Sequence, residues 1–202
     1  MVAPNKKRSA VQTMRPLSDN FTRSFELFTH FIANCNDDRD IRIYNIAVIT
    51  NCVAYTEGAL NEKLQGLQTE KAFREAEYEE IDAACDISSI KKFKKIRQKW
   101  NRIKNMEGST NKWDEENSIF SNFSSLYTLR NEVLHYKCDY LEAGEVPKES
   151  IENIMHQVCD EQPYGNMPYR KQMNESWCSY LLMQKSLCEW SITTTKNLTE
   201  KI

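Results

Sequence analysis

Glycine and proline are scarce in this 202-residue chain, which holds only five of each. Folds built from short strands need many tight turns, and such turns draw heavily on these two residues. Their scarcity therefore favours long helices. Opposite charges also nearly balance, with a formal net charge of −2. Any affinity for a polyanion must therefore come from a local patch.

The spacings typical of metal sites, disulfide frameworks and several common enzyme classes are also missing. No P-loop, GxSxG, HExxH or GxGxxG motif occurs, and no apolar run approaches the ~20 residues of a membrane span. The seven cysteines form no CxxC pair: Cys35, Cys52, Cys85, Cys138, Cys159, Cys178 and Cys188. An odd number without such pairs is typical of reduced thiols in a cytoplasmic protein, some of them in the core. We expect no metal, no cofactor and no membrane contact.

Apolar residues recur at intervals of three and four along most of the chain after residue 17, which predicts helices. We place them at about 18–35, 41–68, 91–104, 113–135, 150–158 and 174–198. This pattern, with no convincing strand, predicts an all-α bundle of four long helices plus short accessory helices, forming one domain over residues 18–202. Residues 1–17 carry four basic side chains and no apolar signal-peptide core, so we expect a flexible basic arm.

Two aromatic stripes are expected in the core of the bundle, because each recurs at helical spacing. The stripe of the first helix comprises Phe21, Phe25, Phe28, Phe31 and Ile32. The stripe of the last helix comprises Trp177, Tyr180, Leu181, Leu187 and Trp190.

Arg130, Asn131 and His135 form the strongest candidate site, near the end of the helix predicted at 113–135. Arginine is a permanent cation whose planar donor fork matches a phosphate. Histidine exchanges protons near neutral pH, and asparagine adds a neutral donor and acceptor. These side chains suit cleavage of RNA without a metal. On a helix, however, Arg130 and His135 lie about 140° apart around the axis, so convergence requires a cleft or a second copy of the helix.

An arginine and a histidine at similar spacing also occur by chance, and the chain contains a second such pair. Arg23 and His30 are separated by six residues in the first helix, but no amide residue follows Arg23. His30 is interpreted as a structural or surface histidine, and so is His156, which has no arginine at matching spacing.

The segment from Leu129 to Tyr136, LRNEVLHY, resembles the signature of the HEPN domain family. Ribonucleases of that family carry Arg, a polar residue that is often Asn, a few further residues and then His. The motif lies on a late helix of a four-helix core, as it does here. The segment from Tyr55 to Glu62 is similar to the second-helix pattern of many members.

The resemblance implies a metal-independent endoribonuclease acting as a homodimer, in toxin–antitoxin, abortive-infection or other antiviral defence systems. Arg130 would bind the scissile phosphate, Asn131 would orient it, and His135 would act as general base or acid. The products would be 2′,3′-cyclic phosphates. A regulatory antitoxin protein is a further expected partner. One subgroup carries a modified tyrosine two residues after the histidine; here Tyr136 follows at one residue and position 137 is Lys137, which departs from that pattern.

Two charged features have both a functional and a structural interpretation. The basic segment Lys91–Lys104 either tracks RNA phosphates or pairs with the acidic segment 75–82. Glu57, on the apolar second helix, either holds Arg130 or points to solvent; if it is buried it needs a partner.

Two other interpretations of the motif stay open. The chain is either a catalytically inactive HEPN-like module that binds RNA, nucleotide or protein, or a helical regulatory protein in which the motif is accidental. Loss of cleavage on substitution of Arg130 or His135 separates the enzyme from both.

Overall fold

The computed structural model describes residues 18–75, 95–135, 149–159 and 177–202. Within these ranges the secondary structure is helical, without strands, and the predicted all-α class is confirmed. The helices are α1 Ser18–Asn34, α2 Asp38–Glu75, α3 Ile96–Met106, α4 Ser118–Leu134, α5 Glu149–Val158, α6 Trp177–Leu182 and α7 Ser186–Thr199. The predicted basic arm, Tyr136, Cys85, Cys138 and the acidic segment 76–82 lie outside the described residues.

Helix α2 forms the centre of the fold and packs against α1, α3, α4, α6 and α7. Its apolar side chains face several directions, as expected for a helix surrounded by others. The buried ones are Ile41, Val48, Ile49, Cys52, Val53, Leu60 and Leu64. The helix begins three residues earlier than predicted because the Asp37 carboxylate accepts hydrogen bonds from the backbone N–H groups of Arg39 and Asp40 (2.8 and 3.2 Å), which is an N-cap arrangement.

The start of α4 also differs from the prediction, which placed it at Trp113. The helix begins at Ser118, because the side chain of Asn117 accepts a hydrogen bond from the N–H of Ile119 (3.0 Å) and caps the first turn. Trp113 lies instead in the preceding loop, where its N–H donates to the side chain of Asn101 on α3 (2.8 Å).

The predicted last helix is two helices, which is a correction of the continuous 174–198 helix. The chain breaks at residues 183–185, between α6 and α7. The Leu182 carbonyl, whose helical partner would be the N–H of residue 186, instead accepts from the side-chain amide of Asn45 (2.8 Å). The same amide donates to the Gln184 carbonyl (2.9 Å), so the break is held by a buried residue of α2.

Replacing Asn45 with Ala is expected to lower the free energy of unfolding by about 2–4 kcal/mol. The Leu182 carbonyl would lose its donor in a buried site, at roughly 1–3 kcal/mol, and the partly buried Gln184 carbonyl would lose its donor at a smaller cost. Urea denaturation followed by circular dichroism measures the change. Asn34→Ala is the matched control, since the described hydrogen bonds of the exposed Asn34 amide stay within its own helix, to the carbonyl (2.8 Å) and the ring Nδ1 (3.4 Å) of His30. Equal losses in the two variants would contradict this role of Asn45.

The aromatic stripe of α1 is only partly in the core. Phe25 and Ile32 are buried, and Phe21 and Phe28 pack against the core. Phe31 is 45% exposed and stacks on Tyr44 of α2, with ring centroids 5.6 Å apart. The expectation for Phe31 was therefore wrong, because the apolar stripe of α1 is wider than the surface that α2 and α7 cover. In the last stripe, Trp177, Leu181 and Leu187 are buried.

Burial raises the pKa of the Cys52 thiol to about 12, mainly by desolvation. Desolvation also raises the pKa of the buried Cys188 thiol. Since the thiolate is the nucleophile, neither is expected to react in the folded protein. Alkylation with iodoacetamide under native conditions, read by peptide mass spectrometry, should leave both unmodified, while urea exposes them. Labelling of Cys52 in the native protein, at a rate like that of half-buried Cys35, would contradict the packing.

No helix in the described part of the chain is both apolar enough and long enough to cross a bilayer.

Candidate functional site: the carboxyl end of α4

The candidate residues occupy the last turns of α4, where Arg130 and Asn131 are half-buried and His135 is exposed. The core-facing side of this helix is buried through Phe120, Phe123, Leu126 and Leu129, which recur every three residues. They pack α4 against α2, α5 and α7. Because the core fixes the rotation of the helix, it also fixes the directions in which the motif side chains project.

Arg130 is half-buried, and its guanidinium is turned toward the next residue. Its Nη1 donates a hydrogen bond to the Oδ1 of Asn131 (3.0 Å). Its Nε is buried and has no hydrogen-bond partner among the described residues. A buried N–H without an acceptor is costly and needs an explanation, and one explanation is an acceptor that arrives with a ligand.

Asn131 lies between the other two residues around the helix axis. At about 100° per residue, Asn131 is about 40° from His135 and about 100° from Arg130. The bond from Arg130 to Asn131 therefore draws the guanidinium around the helix toward the side that carries His135. This reduces the separation of about 140° that the spacing alone imposes.

His135 is the last residue of the helix and is exposed. Its backbone N–H donates to the carbonyl of Asn131 (3.0 Å), which closes the final turn. Its imidazole makes no hydrogen bond or ion pair with any other residue in the described ranges, so both ring nitrogens remain open to a ligand. The neighbouring Leu134 is 40% exposed, although it is a large apolar residue.

Glu57 of α2 makes no described contact with Arg130, although one of its two interpretations required one. Glu57 is half-buried on α2, and no hydrogen bond or ion pair joins it to another described residue. The described partner of the Arg130 guanidinium is Asn131. The interpretation in which Glu57 holds Arg130 is therefore wrong for the described structure.

The basic segment divides into exposed and internal cations. Lys95, Arg97 and Arg102 are exposed, whereas Lys99 and Lys104 are buried. Lys104 donates to Glu107 (2.9 Å) and to the Lys201 carbonyl (3.0 Å), so it is used inside the fold.

Glu107 also pairs with Lys63 of α2 (2.9 Å). Desolvation opposes ionisation of Glu107, but the bonds from Lys63 and Lys104 outweigh it and lower the pKa of this carboxyl. The described acidic partner of the segment is thus Glu107, while Lys91–Lys94 lie outside the described residues.

A cavity beside α4 was not anticipated from the sequence. It has a volume of about 310 Å³ and lies between the start of α3, the loop before α4 and the middle of α4. No sequence pattern pointed to it, because its walls come from three separate segments. In the described ranges, no three His, Cys, Asp or Glu side chains are grouped so that they could hold a metal ion.

Comparisons of the chain with protein-family models, with curated proteins and with solved structures find no match. Function is therefore inferred from the residues and geometry of α4 and its surroundings.

Proposed function

We propose that this protein is a metal-independent endoribonuclease of HEPN type, with Arg130, Asn131 and His135 as its catalytic residues. The bond from Arg130 to Asn131 on the side of the exposed His135 is the observation that carries the proposal. The bond turns the Arg130 guanidinium toward Asn131, which lies about 40° from His135 around the helix axis, and this supports a joint role for the three side chains. The resemblance of LRNEVLHY to the HEPN signature supports the same assignment.

Each side chain then has a role in transesterification of RNA. Arg130 binds the non-bridging oxygens of the scissile phosphate and stabilises the charge that develops on them, while Asn131 orients the phosphate. His135 takes the proton from the ribose 2′-hydroxyl, whose oxygen attacks phosphorus. The bond from phosphorus to O5′ breaks, and a separate general acid donates a proton to the leaving oxygen. The products are a 2′,3′-cyclic phosphate and a 5′-hydroxyl.

One copy of α4 supplies only one of the two proton-transfer groups that this reaction uses. A homodimer related by a twofold axis through the helix ends would bring a second Arg130 and His135 to the same phosphate. The exposed Leu134 beside the motif supplies apolar surface that such a contact would cover. We therefore propose that the active form is the homodimer.

The biological role proposed for this activity is growth arrest or antiviral defence in the cytoplasm, with RNA as substrate. An enzyme that cleaves cellular RNA needs restraint. A second protein, an antitoxin, is the proposed regulator.

Cleavage of matched oligonucleotides tests the chemistry. The purified protein, in EDTA, is incubated with an RNA oligonucleotide, its DNA counterpart and its 2′-O-methyl counterpart. Only the RNA is expected to be cut, because the other two lack the nucleophilic hydroxyl. Cleavage of the DNA or the 2′-O-methyl strand would contradict the proposed mechanism, and so would cleavage that EDTA abolishes.

A further inference from the structure

The cavity beside α4 lies on the face of that helix that carries Asn131 and His135, two of the three proposed catalytic residues. Its α4 wall includes Ser124 and Thr128. At about 100° per residue, Ser124, Thr128, Asn131 and His135 fall within a stripe about 60° wide. Thr128 precedes Asn131 by about 4.5 Å along the axis and His135 by about 10.5 Å. A strand bound at His135 and lying along this stripe would pass the cavity within a nucleotide or two of the scissile phosphate.

Aromatic and basic side chains line this cavity together. Trp113, which is 8% exposed, and the half-buried Tyr127 supply aromatic surface. The exposed Lys95 and Arg97 stand at the rim, where they meet solvent. Aromatic rings that stack on bases, beside cations that meet phosphates, are the usual combination in sites for single-stranded nucleic acid. The volume of about 310 Å³ lies at the small end of the range for ligand pockets, which suits one base with its sugar.

Glu115, an exposed residue of the loop before α4, lines this cavity with a carboxylate held by two hydrogen bonds. Its Oε1 accepts a hydrogen bond from the indole N–H of Trp113 (2.7 Å), and its Oε2 accepts one from the hydroxyl of Ser124 (3.0 Å). Each carboxylate oxygen can accept more than one hydrogen bond, so both keep capacity for a ligand. The two bonds hold these acceptors side by side. A ligand that offers two neighbouring N–H donors would match them.

We propose that this cavity is a guanine subsite for the RNA substrate. Among the four RNA bases, only guanine offers two neighbouring N–H donors, at N1 and N2 of its Watson–Crick edge. Adenine and cytosine each offer one amino group beside an acceptor, and uracil offers one imino N–H. Base recognition at the cavity does not require catalysis, whereas its place beside the scissile phosphate rests on the proposed function.

Binding of uncleavable DNA tetramers to the full chain tests the subsite. The tetramers are thymidine homopolymers with one position changed to deoxyguanosine, deoxyadenosine or deoxycytidine. The guanine tetramer is expected to bind about tenfold tighter than the others, as for a well-formed pair of hydrogen bonds to one base. Glu115→Gln should remove this preference, because its amide places a donor against one of the guanine donors. Equal affinity for all tetramers, or an unchanged preference in Glu115→Gln, would overturn the proposal.

One control variant and one check of folding make the outcome specific. Glu116→Gln is the matched control, since Glu116 is the exposed neighbour and does not line the cavity; it should keep the preference. Glu115→Gln should still fold, because Gln Oε1 can accept from Trp113 and its amide can donate to the Ser124 hydroxyl. Circular dichroism checks this. Loss of the preference in Glu116→Gln as well would also overturn the proposal.

Failure of the subsite and failure of the ribonuclease are distinguishable. His135→Ala should retain the guanine preference in binding, since His135 does not line the cavity. A binding preference for guanine without any RNA cleavage would support the subsite and contradict the proposed ribonuclease activity. If all tetramers bind equally and the protein cleaves RNA at sites that share no guanine at a fixed position, the subsite is ruled out and the ribonuclease is supported.

Discussion

Replacing Arg130 with Ala is expected to lower the rate of RNA cleavage by at least about a hundredfold. Removal of one well-placed donor to a developing oxyanion typically costs 10²–10³ in rate. Arg130→Lys should recover only part of this loss, because an ammonium group keeps the charge but lacks the fork that binds two oxygens at once. Single-turnover cleavage of a labelled RNA, in EDTA, measures the three rates.

Arg23→Ala is the control for loss of a cation, since Arg23 is exposed on α1 and its partner among the described residues is Glu26 of the same helix (2.6 Å). It should cleave at the wild-type rate. If Arg130→Ala cleaves like Arg23→Ala while both remain folded, Arg130 does not bind the scissile phosphate and the assignment of the site is wrong.

Replacing Trp100 with Ala is expected to cost about 3–5 kcal/mol of unfolding free energy, the range for large aromatic side chains in cores. Trp100 is 2% exposed and packs against the rings of Trp113 and Phe120, with centroids 6.2 and 5.1 Å away. Its indole N–H also donates to the Asn111 carbonyl (3.2 Å). These contacts hold the loop before α4 against α3. Urea unfolding monitored by circular dichroism measures the loss.

The same substitution has a consequence for the cavity. Trp113 and Glu115 belong to the loop that Trp100 supports, so the carboxylate of the guanine subsite should lose its fixed position. Trp190→Ala is the control, because Trp190 is half-buried on α7 and its indole N–H bonds Gln157 (2.9 Å) away from this cluster. Trp190→Ala should lower the free energy of unfolding by less than half as much as Trp100→Ala, and it should leave the binding preference for guanine unchanged. Equal losses of stability in the two variants would contradict the central place of Trp100.

Helical periodicity predicted most of the helices but not all of their ends. Helices α1 and α5 lie within one residue of the expected bounds, 18–35 and 150–158. The break between α6 and α7 escaped prediction, because the Asn45 amide that holds it is about 140 positions away in sequence. The burial of Phe31 was also predicted wrongly, because its spacing matches the stripe but its packing on Tyr44 of α2 leaves it 45% exposed.

The candidate site was predictable in its residues and not in its geometry. Sequence spacing placed Arg130 and His135 about 140° apart and gave no means of joining them. The bond from Arg130 to Asn131 depends on the rotamer that packing allows, so it became visible only in the structure. Glu115 was overlooked because its significance comes from Ser124, nine residues later on another element, and from a cavity wall on α3.

Cleavage of total cellular RNA in EDTA, by the wild-type protein beside His135→Ala, tests the central claim most directly. His30→Ala serves as control, because His30 is exposed on α1, away from the motif. Cleavage by the wild type and His30→Ala but not by His135→Ala, leaving 2′,3′-cyclic phosphate ends, is the predicted result. Equal cleavage by all three, or ends other than cyclic phosphate and 5′-hydroxyl, would contradict a ribonuclease built on Arg130, Asn131 and His135.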